Sequence, residues 1–329
     1  MLTITEFVME ARHVREDLRI APGRLLWKPM RYTEKQMTSE LLDQPPFTGA
    51  PKKLFICSTP RSGSYMLCRY MINAGLGVPH EYFNPIIMRE MAPRLGLGDA
   101  IRGLQWQRRT WRDQLPFGNP ARTAEEAFLQ RYLAALVPLR CQAGIFAAKV
   151  HHEHLVKVLE NPTGRALLDG GVFIYLYRED LLKQAVSAQF AHLTGRWGVD
   201  DAVTTTPSQK PDFFNIKLLD NLLIGIAEQD RAWRVFLSRN CPTRLTISYE
   251  QLCEDPNRFL GRIARHVGIN PASLRRNHGE SRHFWPTDSG LPGKHDVARH
   301  YVHTVRTFRE AKPVTDVPLH AMPFERVAR

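Results

Sequence analysis

The sequence predicts an α/β fold, with an open central parallel sheet and helices on both faces. Three observations point there. Short apolar runs recur along the chain, each bounded by turn residues, as strands buried on both sides are. Stretches with helical periodicity follow them, and strand–helix alternation of this kind implies right-handed crossovers. The composition, 43% hydrophobic and 24% charged over 329 residues, is that of a globular chain able to bury a full core.

Residues 1–50 read as an amphipathic helix and a basic, proline-containing lead-in. The first strand is Lys53-Leu-Phe-Ile-Cys57, closed by Ser58-Thr-Pro60. The next helix carries Leu67, Tyr70, Met71 and Ala74 at i, i+3, i+4 and i+7, and Gly75 and Gly77 stop it. Further strands are expected at Gly144–Val150, Val172–Tyr177 and Thr243–Ser248, with helices over 212–238 and Asp255–His266. Three stretches interrupt the pattern: 96–122, rich in Gly, Arg and Trp, and the polar loops 195–212 and 278–298. Long loops in compact domains tend to be lids or binding loops. The domain reading is a lead-in over 1–50, a main domain over 51–270 with an insertion at 96–122, and an extension over 271–329 packing on the same domain.

Charge and cysteine usage narrow the setting. The 45 Lys+Arg exceed the 33 Asp+Glu, a net charge of +12 that suits an anionic ligand, an anionic membrane surface or nucleic acid. The five cysteines are scattered, without Cys-x-x-Cys spacing, which points to a reducing compartment and away from disulfides or structural zinc. No apolar run approaches the ~18 residues of a membrane helix. Acids stand where a signal peptide would carry Lys/Arg, so the expectation is a cytoplasmic protein, at most at the inner face of the membrane.

The most informative segment is Ser58-Thr-Pro-Arg-Ser-Gly-Ser-Tyr65, between a strand and a helix N-terminus. Unpaired N–H groups and the helix dipole there favour a phosphate. Gly63 lets the backbone wrap an anion, Ser62 and Ser64 offer hydroxyl donors, and Arg61 offers a bidentate cationic fork. The segment departs from a Walker A loop: Ser64 and Tyr65 follow Gly63 where Lys-Ser/Thr would stand. The lysine and Mg²⁺-holding hydroxyl of an NTPase are therefore missing, which disfavours a small-molecule kinase. A plain strand-to-helix turn capped by Ser is the bland alternative. The second segment is Tyr177-Arg-Glu-Asp-Leu-Leu-Lys-Gln-Ala-Val-Ser187. Arg178 ends a strand, and Gln184 and Ser187 share a face of the following helix, an arrangement able to hold a second phosphate.

Together the two segments resemble the sulfotransferases that use 3′-phosphoadenylyl sulfate (PAPS). More narrowly, the chain is similar to the bacterial family of trehalose and lipopolysaccharide sulfotransferases. The supporting motifs are Ser58–Ser64, Gly77-Val-Pro-His-Glu-Tyr-Phe-Asn-Pro85, Phe146-Ala-Ala-Lys149, Tyr177–Ser187, Leu193-Thr-Gly-Arg-Trp197 and Ser248-Tyr-Glu-Gln-Leu252, in the family order. The resemblance implies a three-layer, P-loop-NTPase-like sulfotransferase fold and PAPS as cosubstrate, with no metal. Arg61, Ser62, Gly63, Ser64 and Tyr65 would grip the 5′-phosphosulfate, and Arg178, Gln184 and Ser187 the 3′-phosphate. It further implies a glycan or glycolipid acceptor and no nucleic-acid partner, and leaves peripheral membrane contact and a homodimer open.

The chemistry expected is in-line displacement at sulfur, helped by a general base. Glu81 matches the glutamate for which the family's base role is proposed. A helix-start carboxylate is its alternative reading, and the adjacent His80 competes for the role. Arg61 would stabilise the leaving oxygen. Lys149 matches a family lysine that touches acceptor or leaving group, against the alternative of a solvated strand-end lysine. His80, Phe83, Lys149 and Trp197 are the expected acceptor contacts, with Trp197 either stacking on a ring or anchoring its loop. Tyr249 and Glu250 read as packing and helix capping. His151, His152 and His154 around Glu153 read as site lining or surface, because a strand-to-helix junction lacks the spacing zinc asks for.

Overall fold

The computed structural model describes residues 37–102, 104, 120–195, 212–275 and 293–311, with only the backbone at 120–123 and 307–311. In chain order the described elements are β1 (Lys52–Ser58), α1 (Ser64–Ala74), α2 (Pro85–Arg94), α3 (Gly98–Arg102), α4 (Pro120–Leu139), β2 (Cys141–Gln142), β3 (Ile145–Val150), α5 (His152–Leu159), α6 (Pro162–Leu168), β4 (Val172–Tyr177), α7 (Leu181–Thr194), α8 (Ile216–Asn240), β5 (Leu245–Ser248), α9 (Tyr249–Glu254), α10 (Pro256–His266) and α11 (Lys294–Ala311).

The sheet runs β2-β3-β1-β4-β5. Its four longer strands are parallel, as the apolar runs predict. The sequence reading missed β2, which pairs antiparallel with β3 as the short edge of a hairpin. Two residues carry no periodicity. The hairpin closes through Ala143 (φ 52°) and Gly144 (φ 76°), the left-handed pair that a tight two-residue turn requires.

Side-chain alternation along the strands builds two apolar layers. On one face Leu54 and Ile56 of β1 join Leu67 and Met71 of α1 and Ile263 of α10. On the other, Phe55 and Cys57 join Phe146, Ala148, Tyr175 and Trp233. Both faces of the sheet are therefore covered, which is why its strands are nearly unbroken apolar runs. No helix among the described residues is long and apolar enough to cross a membrane.

Topology places the site. From β1 the chain reaches β3 on one side, and then crosses to β4 on the other, so the strand order reverses at β1. Ligands in open α/β sheets bind beyond the carboxyl ends of the strands at such a reversal. Register aligns those ends: Ser58 pairs with Leu176, Cys57 with Val150, and Tyr177 with Ser248. The segments that follow, starting at Thr59, His151, Arg178 and Tyr249, leave from one edge of the sheet.

The chain divides into two compact units, 1–179 with 226–282, and 180–225 with 283–329. The sheet and both apolar layers belong to the first. In the second, α7 packs against α11, Phe190 against Phe213 with ring centroids 4.6 Å apart, and the Tyr301 hydroxyl donates to Asp220. Ile56, fully buried at the centre of the sheet, gives a direct check of the packing. Ile56→Ala is expected to cost about 2–5 kcal/mol, read from the urea unfolding midpoint.

Candidate active site

The loop after β1 is shaped by its backbone. Arg61 (φ 63°) and Gly63 (φ 82°) both lie in the left-handed region, one residue apart. Such a curl gathers successive N–H groups into an anion-binding concavity, and here it opens into the N-terminus of α1. A left-handed Arg is strained, and strain of this kind is characteristic of ligand clamps. The Ser62 hydroxyl donates to the Thr59 carbonyl at 2.8 Å and is buried. It braces the loop, in place of the free hydroxyl donor expected of it. The helix cap is Gly63, with no side-chain hydrogen bond, so the Ser-capped turn is not what forms here.

Gly63 is required a second way. A Cβ built there would lie 2.3 Å from Cδ2 of Tyr249. The same tyrosine ring lies under the Arg178 guanidinium at 4.7 Å. Glu250, next in the chain, sits 3.8 Å from Arg178 Nε and accepts from the Glu179 N–H at 3.1 Å. Ser248 and Gln251 form the capping box that fixes this turn. Tyr249 thus braces both the phosphate loop and Arg178, beyond the packing and capping read from sequence. Arg178 Nε is buried with no hydrogen-bond partner among the described residues.

Glu81 sits at the centre of a buried polar cluster. It is 7% exposed and lies three residues before Asn84, the cap of α2, so it is no helix-start carboxylate. Lys149 donates to its Oε1. His151 Nε2 lies 3.1 Å from the same oxygen. Asn84 Nδ2 donates to Oε2 at 2.7 Å, an orientation fixed because Asn84 Oδ1 accepts the Ile86 N–H. Burial alone would raise the Glu81 carboxyl, but Lys149 and His151 outweigh it and hold it well below the usual carboxylate range. Lys149, 2% exposed, also lies 3.7 Å above the Tyr65 ring. The solvated reading of this lysine does not hold.

His80 is fully buried beside the Tyr65 and Tyr82 rings. Burial pushes its imidazole down to about 3, so the enclosed ring stays neutral at ordinary pH. Phe83, 4% exposed, belongs to the apolar layer with Met88 and Met91. Both residues were expected at the acceptor, and the structure encloses them. Trp197 lies outside the described residues, as does most of 96–122.

In the second unit, Gln184 and Ser187 are buried on α7. Lys294 Nζ lies 3.3 Å from the Ser187 hydroxyl and 5.6 Å from the Phe190 ring. This lysine was invisible in sequence, since 107 residues separate it from Ser187. The second unit also holds a cleft of about 470 Å³ at the start of α7 and along α11, lined by Asp180, Lys183, Arg299 and Arg306 among others. The loop geometry predicts that Gly63→Ala abolishes anion binding at this loop, measured with inorganic pyrophosphate by titration calorimetry. It should also lower stability by about 1–3 kcal/mol, because the residue is left-handed and Tyr249 fills the space.

No curated protein matches the chain. A sulfotransferase domain from the curacin biosynthetic pathway is 17% identical over 67% of this chain and 74% of its own, with a TM-score of 0.38. One from the Synechococcus PCC 7002 olefin synthase is 19% identical over 84% and 99%, with a TM-score of 0.37. Retinol dehydratase in a complex with retinol and PAP (adenosine 3′,5′-bisphosphate) is 18% identical over 82% and 69%, with a TM-score of 0.33. The Stf0 sulphotransferase family model matches residues 53–281, from β1 and its phosphate loop through Glu81, Lys149 and Arg178 to beyond α10. The chain belongs to the Stf0 sulphotransferase family.

Proposed function

We propose that this sulfotransferase moves a sulfuryl group from PAPS to a hydroxyl of a carbohydrate or glycolipid, with Glu81 as general base. The observation that carries the reading is the buried Glu81 carboxylate, held by Lys149 and His151, in the same unit as the left-handed loop 59–63. Two features fit a bisphosphate donor. The cradle at Gly63 is one that a Cβ would fill, and Arg178 keeps a buried nitrogen without a hydrogen bond among the described residues. The +12 surplus suits a multiply charged anionic donor as well.

PAPS supplies the sulfuryl group. The loop N–H groups and Arg61 orient its 5′ end and neutralise charge on the leaving oxygen. Arg178 provides the fork for the 3′-phosphate. Glu81 takes the proton of the attacking hydroxyl as the new S–O bond forms and the bond to the nucleotide phosphate breaks. Lys149, on Glu81 Oε1, sets the charge that the carboxylate feels, and we assign it to the acceptor or the leaving group. A kinase reading gains nothing from this arrangement, because the loop carries no lysine in the Walker position.

The test is incubation with radiolabelled PAPS and bacterial glycolipid extract or trehalose, followed by mass spectrometry. Sulfated product is expected; no product together with no PAP binding would falsify the reading. Glu81→Gln should lower kcat by about 10²–10⁴ with PAP affinity kept. Arg61→Ala and Arg178→Ala should each weaken PAP binding by about 1.5–3 kcal/mol. A carboxylate held low stays ionised into acid, so the acid limb of kcat/KM is expected below the ordinary glutamate value of 4.5.

A further inference from the structure

We propose that Tyr65 is a positioning residue, the face of its ring seating the Lys149 ammonium against Glu81. The proposal rests on Glu81 being the base and adds the group that steadies its lysine. Lys149 is 2% exposed, and its Nζ lies 3.7 Å from the Tyr65 ring centroid. At that distance the ammonium meets the negative face of the π system. An ammonium offers three hydrogens and accepts none. Among the described residues its hydrogen bonds end on a single acceptor, Glu81 Oε1.

Burial turns that shortage into a constraint. In water an aromatic face offers an ammonium little, because hydration satisfies the charge better than a quadrupole does. Enclosed, the cation has the carboxylate and the ring as its partners, and cation–π attraction is strongest where the cation is desolvated. Tyr65 thus takes the place of hydration on a charge that one carboxylate oxygen does not satisfy. Shape alone asks for no aromatic residue here, since leucine would fill much of the same space. What leucine lacks is the negative face.

The ring is itself held in place. Tyr65 is the second residue of α1, after the Gly63 cap and Ser64. It is half-buried against the apolar layer that contains Leu67 and Met71. His80 lies beside it with ring centroids 5.8 Å apart, and His80 meets Tyr82 edge-on, also at 5.8 Å. Tyr82 is fixed in turn: its hydroxyl donates to the Val78 carbonyl at 2.7 Å, and its carbonyl accepts from the Tyr132 hydroxyl at 3.1 Å. The backbone completes the frame. The Lys149 N–H donates to the His80 carbonyl at 2.9 Å, which ties β3 to the residue before Glu81. Tyr65 therefore couples the helix that opens from the phosphate loop to the base. A shift of that loop carries the ring, and the ring carries the ammonium that orients Glu81.

The experiment has two arms on the full-length chain. In the first, ¹H–¹³C NMR reads the Lys149 ε-methylene, assigned with Lys149→Met. An upfield ring-current shift is expected in the wild type and should disappear in Tyr65→Leu; an unshifted methylene overturns the proposal. In the second, release of PAP from PAPS is followed with trehalose or, failing that, water as acceptor. Tyr65→Leu should lower kcat about tenfold with KM for PAPS nearly unchanged, and Tyr65→Phe should restore most of that loss. Phenylalanine carrying one, two or three fluorines, placed at the same position by codon suppression, empties the ring face of charge in steps at nearly constant shape. A stepwise fall in kcat along that series is expected, a trend that a merely space-filling ring does not produce. A flat series overturns the proposal, as does Tyr65→Phe being no better than Tyr65→Leu, which would assign the loss to the hydroxyl. If the series is flat while Glu81→Gln is inactive, the seat is refuted and the base stands. If Glu81→Gln is fully active, the base reading fails, and the seat with it.

Discussion

Most of this site depends on one buried electrostatic arrangement, the Glu81 carboxylate between Lys149 and His151. Taking charges out of water costs several kcal/mol per ion, and only well-placed partners offset it. Here each carboxylate oxygen has a donor, and the lysine and histidine that surround it are themselves nearly enclosed. Such a cluster adds little to net stability compared with an apolar core. Its value is geometric: the 81–84 segment and the end of β3 meet at one carboxylate and cannot shift without exposing an unpaired charge.

The anchor of that geometry is a single carbonyl. The Ser58 oxygen accepts from both Trp233 and His151, so the last residue of β1 ties α8, the start of α5 and the phosphate loop together. A parallel strand is stiff, buried on both faces and paired on both edges. Loops leaving such a strand inherit its position. Tyr249 does the corresponding work on the other flank, filling the space under Gly63 and supporting Arg178. The loop after β1 and Arg178 are therefore set at the β1, β4 and β5 junctions, with one aromatic ring as their shared brace.

Some of this was legible in the chain itself. Strand–helix alternation gave the parallel sheet because an apolar run bounded by turns has few other homes. The phosphate loop was legible for a local reason: strand, Arg-Ser-Gly-Ser and helix are contiguous. Glu81, Lys149 and Arg178 came from motif positions, and all three lie in the unit that carries the loop. The enclosure of Ser62, His80 and Phe83 was not legible, because a hydroxyl, an imidazole and a phenyl ring look alike in sequence whether they face a ligand or the interior.

What the sequence alone determined was the set of short buried strands, the strand–turn–helix segment at 58–65 and the charges available to it, since each depends on neighbours in the chain. Only tertiary structure decided which of those charges meet. His151 lies 70 residues from Glu81 and 93 from Ser58, and no periodicity carries that distance. Parallel strands bring their ends together through crossovers of many residues, so partners at the sheet edge are fixed by strand order and register, quantities that exist only once the sheet has formed.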